Sequence, residues 1–90
     1  MIYEYICKMA EGAYNIEGHA LTTHELHMVQ EVHDQLVDEM TRPQDMYKIT
    51  LGAVNTAFGR LPVVINPKCP PGTVYLLNRK YTHFEPKEDA

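Results

Sequence analysis

The chain has 90 residues, 44% of them apolar and 22% charged, with a formal net charge of −4. Such a length accommodates one hydrophobic core, and such a composition is too apolar for a disordered chain. The negative balance argues against a general nucleic-acid binder, which would be basic. No apolar run reaches the roughly 18–20 residues of a membrane helix. The opening residues, Met1-Ile2-Tyr3-Glu4-Tyr5, lack the basic head and apolar stretch of a signal peptide. Two cysteines, Cys7 and Cys69, make no disulfide framework.

Charge is distributed unevenly along the chain. Residues 17–45 carry Glu17, Glu25, Glu31, Asp34, Asp38, Glu39 and Asp45 against Arg42 alone. Residues 46–84 carry Lys48, Arg60, Lys68, Arg79 and Lys80 with no acidic side chain. Asymmetry of this kind bears on partners and association rather than on fold.

In chain order, residues 2–9 alternate Tyr3, Tyr5, Cys7 and Met9 with Ile2, Glu4, Ile6 and Lys8, which favours a strand. A helix using Ile2, Tyr5, Ile6 and Met9 is the alternative. Glu11-Gly12 then reads as a turn, and Ala13–Glu17 as a short return strand ending at Gly18. Thr22 or Thr23 is positioned to cap a helix running to about Arg42, where Pro43 stops it. Its stripe is Leu26, Val29, Val32, Leu36, Val37 and Met40, and its opposite face carries Glu31, Asp34 and Asp38.

From Met46 the period shortens. Tyr47–Val54 is β-prone, with Gly52 as a bulge. Leu61–Ile65 reads as a strand bounded by Pro62 and Pro67, which suggests an edge or terminated position. Pro70-Pro71-Gly72-Thr73 supplies a turn, Thr73–Leu77 a further strand, and Asn78-Arg79-Lys80 another turn before a brief pairing at Tyr81–Phe84. The expected fold is α+β: one amphipathic helix on a small, mostly antiparallel sheet in the order β-β-α-β-β-β. Residues 1–84 form the domain and 85–90 a polar tail.

Among chemistry-bearing residues, His24 and His27 stand at i, i+3, with Glu31 four beyond. On a helix they would share one face and present two imidazoles and a carboxylate to zinc. The spacing is one residue short of the metalloprotease motif, and an exposed first-turn histidine pair is the simpler interpretation. His33 reads as a packing residue. Cys69 follows Lys68, whose ammonium would favour a thiolate, but no neighbouring base is present to make it a nucleophile. No catalytic residue, metal site or cofactor is expected. The candidate functional residues are interface residues: Arg60, Lys68, Arg79 and Lys80 on the basic half, and Glu31, Asp34 and Asp38 on the acidic helix.

Phe58-Gly59 before the apolar run Leu61-Pro62-Val63-Val64-Ile65, the turn Pro70-Pro71-Gly72, and Val74-Tyr75-Leu76-Leu77-Asn78 after it together resemble a segment of tailed-bacteriophage major capsid proteins. The resemblance spans residues 56–84, about a third of the chain. It implies a β-hairpin packed under a long helix in a peripheral domain, with work done by shape and contact. Proteins of that family are several times longer, so a reduced relative, a companion virion protein or a fragment is implied. The expected function is therefore structural assembly within a virion put together in the host cytoplasm. The expected partners are other copies of the chain or a larger capsid protein, with neither membrane nor nucleic acid. The alternatives are a small acidic regulatory or inhibitory protein docking on a basic partner, placed in the cytoplasm, and a small histidine-centred metalloenzyme.

Overall fold

A computed structural model describes residues 1–50 and 52–79. The chain opens on a helix, not a strand: α1 spans Ile2–Glu17. The alternation of residues 2–9 coincides with a helical stripe that continues past it. Ile6 and Ala10 are fully buried, with Ile2, Met9 and Ala13 packed beside them. These positions recur at three- and four-residue spacing, and burial of that stripe outweighs the β-preference of tyrosine and isoleucine. Gly12 makes no turn, because the helix runs through it at an exposed position. Gly18 ends the helix instead. Its φ of 79° is left-handed and its N–H closes on the Tyr14 carbonyl at 2.8 Å.

The expected helix from Thr23 is divided in two. His24–Met28 forms strand β1, and only Gln30–Glu39 forms helix α2. His24, Leu26 and Met28 are buried in strict alternation, while Val29, Val32 and Leu36 keep the helical period. Leu26 fits both patterns, so the stripe appears continuous in the sequence although the backbone changes at Val29, whose φ and ψ of −74° and 160° are extended. Thr23 therefore caps no helix. Its hydroxyl donates to Asn78 Oδ1 at 2.9 Å, tying the start of β1 to the end of the last strand.

A short 3-10 turn at Pro43–Lys48 leads into β2 (Ile49–Thr50), β3 (Ala53–Thr56), β4 (Gly59–Ile65) and β5 (Tyr75–Asn78). Gly52, with φ at +75°, turns the chain between β2 and β3 rather than forming a bulge. The strand order is β2-β3-β4-β1-β5, antiparallel throughout except for the β4–β1 pair. The α+β class and mostly antiparallel sheet are as expected, but the element order is α-β-α followed by four strands.

Two topological expectations are overturned. Strand β4 is central, with Val54↔Leu61 on one side and Leu26↔Val63 on the other. Pro62 is tolerated there because Val63 N–H points towards Gly52 on the β3 side, at 2.9 Å. Alternation along the strand then turns the Pro62 nitrogen towards β1, one residue before the parallel ladder begins at Val63. Likewise, β4 and β5 do not form a hairpin, since β1 lies between them. The expected pairing at Tyr81–Phe84 and the polar tail fall outside the described residues.

One core unites Ile6 and Ala10 of α1, Val32 and Leu36 of α2, and Leu26, Met28, Val54 and Leu61 of the sheet. Both helices therefore cover the same face. Register places Pro62 and Val64, Glu25 and His27, and Tyr75 and Leu77 on the other face, which no helix covers among the described residues. Glu39 at the end of α2 also links the helices. Its carboxylate accepts the Ile2 and Tyr3 N–H groups at 2.9 and 3.2 Å, satisfying two donors at the start of α1. Glu39→Ala is expected to lower stability by about 1–2 kcal/mol in urea unfolding, as for a lost helix cap. A change within a few tenths of a kcal/mol would mean water replaces the carboxylate without cost.

Candidate interaction surfaces

Helix α2 brings the expected acidic residues together. Glu31, Asp34 and Asp38 are all exposed, opposite the buried Val32 and Leu36. Asp34 accepts a hydrogen bond from Gln30 Nε2 at 2.9 Å, a contact one turn apart on the exposed surface. The acidic surface thus looks away from the sheet.

The expected basic cluster is dispersed. Arg60, Lys68 and Arg79 are each exposed, but the fold distributes them around the sheet, and Lys80 lies outside the described residues. Arg60 begins β4, and its Nη2 reaches across to the Thr50 carbonyl at 2.9 Å, towards the β2 edge. Lys68 follows the other end of β4, roughly 17 Å further along the strand at about 3.3 Å per residue. Arg79 follows β5, where its N–H joins the Thr23 carbonyl at the start of β1. A charge count along the chain could not show this, because consecutive strands run in opposite directions.

Placing His24 and His27 on a strand also separates them. His24 points into the core, where its Nδ1 is buried without a hydrogen-bond partner among the described residues, while His27 points to the other face of the sheet, where its side chain is 12% exposed. No cluster of three metal-binding side chains occurs among the described residues. His27 instead belongs to a polar chain the helical interpretation missed. Its Nε2 lies 2.9 Å from Glu25 Oε1, and its Nδ1 lies 3.3 Å from Asn66 Nδ2. The tautomer protonated at Nε2 satisfies both contacts, donating to Glu25 and accepting from Asn66. The i, i+2 spacing of Glu25 and His27 was the available signal, meaningful only once the segment is a strand.

A second missed group anchors the 3-10 turn. Asp45 is only 5% exposed and holds Lys48 Nζ at 2.9 Å and Arg42 Nε at 3.2 Å. Lys48 also lies 4.9 Å above the Tyr3 ring, whose hydroxyl donates to the Asn55 carbonyl at 2.8 Å. Burial, followed by the neighbouring Cys7 side chain, raises the Tyr3 phenol well above the ordinary tyrosine range. The Lys48 hydrogen bond, followed by Arg42, holds the Asp45 carboxyl below its ordinary 3.8. A carboxyl depressed in the folded state stabilises above its unfolded pKa and loses that contribution as the pH falls through the folded value. Thermal melts are therefore expected to show a loss of stability below about pH 4 that is shallower in Asp45→Asn. Parallel curves for the two proteins would contradict this role.

Among the described residues, surface grooves flank α1, two of them larger than 400 Å³. One, of about 430 Å³, lies between Ile2 and Tyr5 of α1, Val32 of α2 and Val74. The other, of about 500 Å³, is bordered by Tyr3, Cys7, Tyr47 and Phe58. Cys69 is 6% exposed, and burial raises its thiol pKa, opposite to the activation a nucleophile requires. No helix of the described residues is long and apolar enough to cross a membrane.

No family model, curated protein or solved structure matches the chain.

Proposed function

We propose that this protein is a structural assembly component acting through protein–protein contacts, in a virion of the tailed-bacteriophage kind. The supporting observation is its two-sidedness. Both helices lie on one side of the sheet, with Glu31, Asp34 and Asp38 facing outward. Among the described residues, no helix lies on the opposite side, where Tyr75 is exposed and Glu25, His27, Pro62, Val64 and Leu77 are half-buried. A small domain with chemically different outer surfaces is suited to contacts that repeat from copy to copy or onto a larger shell protein. The capsid-like segment supports the same assignment in part: Phe58-Gly59 leads into β4, and Gly72, with φ at +77°, precedes β5. Its two strands are separated by β1, so the hairpin that the resemblance implies does not form.

The acidic face of α2 also suits a regulator that docks on one basic partner. Light scattering of the triple variant Glu31→Lys, Asp34→Lys, Asp38→Lys tests the assembly proposal. Exposed charges act within a Debye length of about 8 Å at physiological salt. The unmodified protein is expected to associate more readily at low than at high salt, and the variant to lose that difference. Identical behaviour of the two at low salt would remove the acidic face from assembly.

A further inference from the structure

We infer that the loop after β4 of one copy docks into a methionine-lined groove beside α2 of a second copy, a head-to-tail contact. This rests on the proposal that copies of the chain associate, and it names the surfaces through which they do so.

The groove is apolar and small. It is lined by Val37 and Met40 at the end of α2, Met46 of the 3-10 turn and Ile49 of β2. Its volume is about 180 Å³, below the roughly 300–1,000 Å³ of small-molecule sites and suited to an apolar side chain. Val37 is exposed and Met46 is 63% exposed. Methionine adapts its shape to what it packs against, and exposed apolar surface with a polar rim marks a contact site.

The rim is acidic. Asp38 adjoins Val37, and Asp34 stands one turn before it on the exposed surface. The cations that follow in the chain, Arg42 and Lys48, are both held by Asp45, at 3.2 and 2.9 Å. Asp38 makes no ion pair among the described residues. Such a groove favours an apolar knob with a cation beside it.

The chain carries such a knob at the far end of β4. Ile65 is the last residue of that strand. It follows Leu61 and Val63 on the helix-covered face, yet is 40% exposed. Lys68, three residues on, is exposed and makes no ion pair among the described residues. The turn between them is stiff. Lys68 N–H bonds Asn66 Oδ1 at 2.9 Å, Cys69 N–H bonds the Asn66 carbonyl at 3.0 Å, and the Cys69 side chain is buried. Pro67 fixes its own φ within that turn. A preformed loop loses little conformational freedom on docking.

One copy cannot fill its own groove. Ile49 is in register with Val54, and Val54 with Leu61, so Ile65 lies about 13 Å further along and two strands away. Ile65 is also held in the ladder opposite Met28. A knob and a groove on different parts of one molecule make a heterologous contact, which closes into rings or extends into filaments.

Sedimentation of two single variants and of their mixture tests the contact. Met46→Asp spoils the groove and Ile65→Asp the knob, both at exposed positions. Each variant alone is expected to stay monomeric at concentrations where the unmodified chain associates. An equimolar mixture is expected to form a complex of two chains and no larger, because one intact knob then meets one intact groove. Charge supplies a second measurement should Ile65→Asp fail to fold. Lys68→Glu is expected to raise the concentration needed for association at low salt by about tenfold, and Asp38→Lys in the same chain to restore it. Either aspartate variant associating like the unmodified chain would overturn this contact and leave assembly through other surfaces standing. So would a mixture that stays monomeric, or unaltered association of Lys68→Glu at low salt. An unmodified chain that is monomeric throughout would contradict self-association itself.

Discussion

Leu36→Ala should lower the unfolding free energy by about 2–5 kcal/mol, a large fraction of the roughly 5–15 kcal/mol typical of a small domain. Leu36 is fully buried at the centre of α2 and belongs to the core shared by both helices and the sheet. Removing three carbons there takes away dispersion contacts and leaves a cavity that two rigid neighbours, a helix and a twisted sheet, cannot easily close. The adjacent Val37 is 43% exposed on the same helix and supplies the control. Val37→Ala is expected to cost well under half as much in the same urea titration. Equal effects at the two positions would show that α2 does not dock by the Val32–Leu36 side.

Gly59→Ala should be comparably damaging, for a backbone reason. Gly59 begins β4 with φ at +150°, which side-chain-bearing residues rarely adopt. A Cβ there would stand 2.5 Å from the Leu21 carbonyl oxygen. The Leu21 segment cannot simply withdraw, because its N–H is bonded to the Phe58 carbonyl at 2.9 Å and its side chain is 2% exposed. Conformational strain of about 1–3 kcal/mol and the steric clash therefore act together. Thermal unfolding should show the loss directly. Gly12→Ala, in the middle of α1 with open space around it, should be neutral or stabilising by up to about 1 kcal/mol. If Gly59→Ala melts with the unmodified protein, the strand start is able to relax.

The fold class, the central β-rich half and the acidic face of α2 are all legible in the sequence. Each rests on a local pattern that one element explains: Leu61–Ile65 for a strand, Gly72 for a left-handed turn, and Glu31, Asp34 and Asp38 for one helix face. The first half misleads because two periods overlap. Residues 2–9 satisfy both two-residue and helical spacing, and the deciding residues, Ala10 and Ala13, lie beyond the alternating stretch. At Leu26 the overlap works in reverse, since one leucine serves the strand and also completes the helical stripe. The candidate interface residues divide the same way. The acidic set is local to one helix, whereas Arg60, Lys68 and Arg79 depend on strand order, which no local pattern encodes. The Glu25–His27–Asn66 chain likewise needs β1 and β4 to run parallel before Asn66 can meet His27.

The most direct measurement of the proposed role is the molar mass of the unmodified full chain by light scattering, followed over a wide range of protein concentration at low and at high salt. An assembly protein with two contact surfaces is expected to rise from monomer mass to discrete multiples, and to do so at lower concentration when salt is low. A constant mass of 10.3 kDa under every condition would contradict self-assembly.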